Sequence, residues 1–218
     1  MIFKAVFFDV DGVLLDTLPA HIQVCKNLAE KNEPLKRSIP TAKEFKKKIV
    51  RGDKEIAPMR CFFKAVGFKE EEINKAVSWY DDNFSDKFDL PCFDGVEAML
   101  AKMTKTLPLG IVTSNVRKNV EGPLAESFKH FTPGCVFTKD MKLSKSAALV
   151  LGASYLGLEI EEVLFVGDQK RDHEAAKTVG ASFLGVTYGW QFDVGDKGLD
   201  LVNGPEEILP YIQSKNDR

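Results

Sequence analysis

One segment near the start, Ala5-Val6-Phe7-Phe8-Asp9-Val10-Asp11-Gly12, constrains the fold more than any other stretch of the chain. Its apolar run lacks the alternation of a half-buried strand, so it reads as a strand covered on both faces, as in a parallel sheet. The run ends in two carboxylates spaced i and i+2. In open α/β sheets ligands bind in the crevice outside the C-terminal ends of the strands. Acids set into such an apolar run are costly unless a metal or a reaction needs them. Gly12 then lets the backbone turn sharply and approach a ligand closely. A plain Asp-Gly turn after a strand is the alternative, and the rest of the chain decides between the two.

With 218 residues, 44% of them hydrophobic, the chain can bury one good core and still build a small second domain. A net charge of −2 provides no overall basic field for nucleic acid or an anionic membrane. The four cysteines are scattered, with no CxxC pair, which argues against a zinc site and for reduced cytosolic thiols. Met1 to Lys4 run directly into the first strand, leaving no room for a signal peptide. No apolar stretch approaches the ~18 residues of a membrane span. The expectation is a cytoplasmic protein with neither nucleic-acid nor membrane partners. Its oligomeric state is open, a monomer included.

Further β-rich apolar runs occur at 109–113, 135–137, 163–166 and 182–186, separated by helical patterns. That rhythm predicts an α/β, Rossmann-like parallel sheet with helices on both faces. The long gap after the first strand breaks it. Ile73, Ala76, Val77, Tyr80, Phe84 and Phe88 fall at helical spacing on one long helix. Pro34, Pro40, Gly52, Pro58 and Gly67 divide the segment into about four helices. The division expected is a core of residues 1–15 and 90–218 and a small helical cap of residues 16–89, inserted after the first strand.

Two later runs also end in chemistry-bearing residues. Leu109-Gly110-Ile111-Val112 leads into Thr113, Ser114 and Asn115. A hydroxyl there can bond a phosphoryl oxygen, and the next backbone N–H groups sit at a helix start, where anions are favoured; plain capping by Ser114 or Asn115 is equally compatible. Val163-Leu164-Phe165-Val166-Gly167 ends in Asp168, with Asp172 four residues on. If the first and third of these strands are neighbours, Asp168 faces the same crevice as Asp9. Magnesium is a hard cation that takes one or two carboxylates together with substrate phosphate.

Asp9-Val10-Asp11-Gly12, the Thr113 strand end and Gly167-Asp168-Gln169-Lys170-Arg171-Asp172 together resemble the first, second and fourth motifs of the haloacid dehalogenase superfamily. The resemblance covers essentially the whole chain and is nearest the phosphoglycolate phosphatase and β-phosphoglucomutase branch. It implies that Asp9 attacks phosphorus to form an aspartyl-phosphate, and that Asp11 protonates the leaving oxygen and then activates water. It implies a third-motif lysine, for which Lys145 and Lys142 are the candidates and Lys139 a distant third. Thr113 and that lysine would hold the phosphoryl group. Mg2+ would sit on Asp9, Asp168 and the backbone carbonyl of Asp11, with Asp172 a ligand or its supporting partner. An acid at position 11 sets the chain apart from the dehalogenase branch.

His21 lies where sugar-phosphate-acting relatives carry a histidine, although a polar residue on a helix face explains it as well. The lysine-rich 46–48 stretch reads as a solvated face. Arg51, followed by Gly52, is the residue suited to bind an acidic group of the substrate. The expected activity is a Mg2+-dependent phosphatase for a small phosphorylated metabolite, phosphoglycolate or a sugar phosphate. A phosphomutase would share the same acids and metal. A phospho-Asp receiver module gathers similar residues, but at about half this length and without a helical insert.

Overall fold

The structure, a computed structural model, describes residues 2–51 and 55–217, with the side chains of 49–51 outside that description. The chain divides into two compact units, Met1–Asp16 with Pro91–Arg218, and Thr17–Leu90. The sequence reading put its divisions after residues 15 and 89, one residue earlier in each case. Among the described residues no helix is long and apolar enough to cross a membrane.

Strand β1 (Ala5–Phe8) opens the first unit, and five helices make the second: α1 (Leu18–Leu28), α2 (Glu33–Ser38), α3 (Ala42–Arg51), α4 (Met59–Ala65) and α5 (Glu70–Lys87). The first unit resumes with α6 (Val96–Met103), β2 (Leu109–Val112), α7 (Lys118–Glu121), β3 (Val136–Phe137) and α8 (Lys145–Leu156). It ends with β4 (Val163–Gly167), α9 (Lys170–Val179), β5 (Ser182–Val186), β6 (Leu201–Val202) and α10 (Ile208–Asn216).

The six strands form one sheet in the order β3-β2-β1-β4-β5-β6, and every neighbouring pair is parallel. This is a Rossmann-like α/β fold. Every residue of β1, β2 and β4 is buried, which is why these strands read as unbroken apolar runs. From β1 the chain moves outward to β2 and β3, then returns to lay β4 on the other side of β1. The order therefore reverses between β1 and β4, and there the crevice for a ligand opens. The register sets Phe8 opposite Val166, so Asp9 and Asp168 leave the sheet on either side of that reversal.

On one face α8 and α9 pack over Phe7, Phe137 and Phe165 through Ala148, Leu149, Ala153 and Ala176. Gly152 makes room for an aromatic ring, since a Cβ there would come within 2.6 Å of Phe7 Cε1. Gly152→Ala gains up to about 1 kcal/mol of helix propensity, but overpacking a filled core costs about 1–3 kcal/mol. We expect a net loss of stability in urea melts; an unchanged midpoint would mean that Phe7 yields freely.

The helical unit has its own aromatic core. Ile73, Ala76, Tyr80 and Phe84 line the buried face of α5. Tyr80 and Phe84 lie 4.4 Å apart by ring centroid, and Phe45 and Phe62 lie 4.6 Å apart. Five helices stand where the punctuation suggested about four, because α2 is only six residues long and buries little but Leu35. Strand β6, two residues long, was too short to read as a pattern.

Candidate active site

Asp9 continues the sheet for one more residue, its N–H donating to Val166 O at 2.9 Å. Its side chain then turns into a buried cluster. Asp9 Oδ1 accepts the Val10 N–H at 2.8 Å, and Oδ2 lies 2.7 Å from Lys145 Nζ. Lys145 is the first residue of α8, placed there by Ser144, whose hydroxyl accepts the Ala147 N–H at 3.1 Å. The same ammonium lies 2.7 Å from Asp172 Oδ1. Asp172 is held in the first turn of α9, with Oδ2 accepting the Gln169 N–H at 3.1 Å. Asp168, one residue past β4, accepts the Trp190 N–H on Oδ2 at 2.7 Å.

Asp9, Asp168 and Asp172 each place a carboxylate oxygen within 4.8 Å of the others, and all three are buried. The Lys145 ammonium pairs with two of the three carboxylates, and Arg171 adds a weaker positive influence on Asp172. Burial, then the charges of Asp172 and Asp9, hold the Asp168 carboxyl well above the usual carboxylate range, more than the Trp190 N–H and Lys145 offset. Burial also raises Asp172, in spite of Lys145 beside it. For Lys145, burial pulls the ammonium down, but Asp172 and Asp9 outweigh it and hold it above the ordinary lysine value. The cluster is short of positive charge. It also leaves Asp168 Oδ1 buried with no hydrogen-bond partner. An all-oxygen donor set with an orphaned carboxylate lone pair fits a hard divalent cation.

Asp11 departs from that cluster. Its Oδ2 accepts a hydrogen bond from Asn115 Nδ2 at 3.0 Å. Asn115 lies just beyond β2, where its backbone N–H donates to Thr113 Oγ1 at 3.2 Å. Thr113 is buried, and Ser114 is half-buried between the two. Lys139 contributes its backbone N–H to Asn115 O, at 2.8 Å. Lys142 is exposed in a left-handed conformation (φ 55°), so of the candidate lysines it is Lys145 whose ammonium meets the acids.

The sequence reading overlooked the loop after β5. Trp190 N–H and Gln191 N–H both bond Asp168, at Oδ2 and at the backbone carbonyl (3.2 Å), and Gln191 Oε1 accepts the Lys170 N–H at 2.9 Å. Two glycines let this loop close on Asp168. A Cβ at Gly12 (φ +83°) would come within 2.7 Å of Asp168 Cγ, and one at Gly189 within 2.5 Å of Gly12 O. The available signal was a glycine soon after a strand, the pattern that marks Gly12, but no acid accompanied it.

His21 is a correction. Within the helical unit it is buried, with Nδ1 donating to Thr17 O at 2.7 Å and Nε2 3.0 Å from Tyr80 Oη. A carbonyl only accepts, so Nδ1 carries a proton toward Thr17 O. Its ring packs against Phe84 and Phe62, with centroids 4.6 and 5.4 Å away. The residue is part of that unit's core, where both the substrate reading and the exposed helix face expected from sequence give way to burial. His21→Phe should cost about 1–3 kcal/mol in denaturant melts by removing the buried hydrogen bonds to Thr17 O and Tyr80, with KM unchanged. A raised KM in a stably folded variant would restore the substrate role. Arg51 ends α3, but its side chain lies outside the described residues.

The fold has many solved counterparts. A haloacid dehalogenase-like hydrolase family protein from Streptococcus pneumoniae superposes with a TM-score of 0.78 at 19% identity, covering 97% of this chain and 99% of its own. A predicted phosphatase from Clostridium acetobutylicum gives 0.74 at 22% identity, with 98% and 100% coverage. A predicted phosphoglycolate phosphatase from Haemophilus somnus gives 0.70 at 20% identity, with 96% and 97% coverage. No curated protein matches in sequence. The family model described as haloacid dehalogenase-like hydrolase matches residues 6–186, which takes in β1 through β5 and all the acids of the site. With that match over most of its length, the chain belongs to the haloacid dehalogenase-like hydrolases.

Proposed function

We propose that the chain is a Mg2+-dependent phosphatase that hydrolyses a small phosphate monoester through an aspartyl-phosphate on Asp9. The observation that carries this reading is the pairing of Asp9 with Lys145 at 2.7 Å inside a carboxylate cluster short of positive charge, at the sheet's reversal point. Phosphoryl transfer needs little covalent assistance beyond positioning and charge stabilisation. Asp9, fixed through Oδ1 by the Val10 N–H, supplies the nucleophilic oxygen. A bond forms from that oxygen to phosphorus as the bond to the leaving oxygen breaks.

Asp11 gives the leaving oxygen its proton. In the second step Asp11 takes a proton from water, which attacks the acyl phosphate, releases inorganic phosphate and restores the Asp9 carboxylate. Lys145 balances charge next to Asp9, and Thr113 with the backbone N–H groups beyond β2 holds the phosphoryl oxygens. Asp9, Asp168 and the Asp11 backbone carbonyl would hold Mg2+, with Asp172 supporting. When bound, the metal supplies Lewis-acid charge neutralisation between the acids and the phosphate.

The substrate class we favour is an acidic or sugar phosphate, phosphoglycolate among them, in keeping with the structural relative described as a predicted phosphoglycolate phosphatase. The test is inorganic phosphate release from a panel of such monoesters with Mg2+, run beside an assay for sugar-phosphate isomerisation. Release from at least one monoester is expected. Isomerisation without release would replace the phosphatase with a mutase, and inactivity across the panel would remove both.

A further inference from the structure

We infer that Asn115 is a positioning residue for Asp11, an assignment that rests on the proposed phosphatase chemistry. The amide orientation is fixed by its neighbours. Asn115 Oδ1 receives the Val116 backbone N–H at 2.9 Å and Asn119 Nδ2 at 3.0 Å. A backbone N–H can only donate, so the atom facing it is the amide oxygen, and Nδ2 is the atom turned to Asp11 Oδ2 at 3.0 Å. Asn119 is buried on α7, so the chain of donors runs from a fixed helix residue through Asn115 to a single oxygen of Asp11.

The consequence is chemical. Asn115 Nδ2 donates to Asp11 Oδ2 and so orients the carboxyl that must deliver the proton. It also keeps Asp11 apart from the cluster of Asp9, Asp168 and Asp172, whose demand is for a cation rather than for proton transfer. Thr113 and Asn115 lie two residues apart and serve different partners. The Thr113 hydroxyl accepts the Asn115 N–H and so keeps its own hydrogen for another acceptor, while the Asn115 side chain serves the acid.

A residue that positions the general acid matters in proportion to how much the leaving group needs a proton. kcat/KM reports the steps up to departure of the leaving group, so it isolates this role from the later hydrolysis. Wild type, Asn115→Ala and Asn115→Asp should be compared on p-nitrophenyl, phenyl and propyl phosphate. Asn115→Asp is isosteric and keeps an acceptor for Val116 and Asn119, but replaces the donor to Asp11; it serves if the alanine variant fails to fold. For propyl phosphate we expect kcat/KM to fall about tenfold or more in both variants. For p-nitrophenyl phosphate, whose leaving group departs as the anion, the loss should stay under about threefold.

An equal loss on all three esters would make Asn115 a structural or phosphate-binding residue and overturn the inference, as would no loss on any. Wild-type protein inactive on these esters and on the panel of acidic and sugar phosphates alike would instead remove the phosphatase reading, and this inference with it. Wild-type activity with a flat variant profile removes the inference alone.

Discussion

Replacing Asp9 with asparagine is expected to reduce phosphate release by about a thousandfold or more while the protein stays folded. Removing a covalent nucleophile eliminates the route itself rather than one contribution to it. The fold should tolerate the change because asparagine is isosteric and its amide oxygen can still meet either the Val10 N–H or the Lys145 ammonium. Lys145 keeps its second partner, Asp172 Oδ1 at 2.7 Å. One of three buried carboxylates also loses its charge, which offsets the cost of a lost contact. Melting within a few degrees of wild type, with turnover near background, is the expected pair of results. A folded variant that retained near-normal turnover would end the aspartyl-phosphate mechanism.

What the sequence revealed depended on whether a side chain's role was decided locally. β1, β2 and β4 were legible because burial on both faces forces an unbroken apolar run, and the acid or hydroxyl ending each run stands out against it. The meeting of Asp9, Asp168 and Asp172 follows from parallel neighbours ending at one edge, which the βαβ rhythm suggests. Among Lys139, Lys142 and Lys145, spacing favoured Lys145, which opens a helical stretch, but left Lys142 open. The choice turns on Ser144 starting α8 so that the first side chain of the helix reaches two acids, and on the left-handed backbone at Lys142. His21 was misread because its surroundings are supplied by Phe62, Tyr80 and Phe84, distant in sequence. Trp190 escaped notice because it serves Asp168 through a backbone N–H, which any residue type carries.

Removal of metal should abolish activity, and magnesium should restore it, for a reason that stability can report independently. Asp168 has its carboxyl held well above the ordinary carboxylate range, first by burial and then by Asp172 and Asp9. A carboxyl raised in the folded state binds its proton more tightly there than in the unfolded chain. Without metal, the protein should therefore gain stability as pH falls from neutral toward the ordinary carboxylate range, and lose it again as pH rises. Magnesium should stabilise the neutral protein and flatten that dependence, because it supplies the positive charge that the proton otherwise brings. Asp168→Asn should do the same without metal. Its amide oxygen can still accept the Trp190 N–H, and the side chain no longer carries a charge beside Asp9 and Asp172. Removal of one of three crowded, buried carboxylate charges is worth on the order of 1–3 kcal/mol, a few degrees of melting temperature for a chain of this size. The variant should melt above metal-free wild type, ignore magnesium and be inactive. Wild-type melting that is indifferent to magnesium, a variant that still responds to it, or full activity in excess chelator would each show that these carboxylates do not serve a metal.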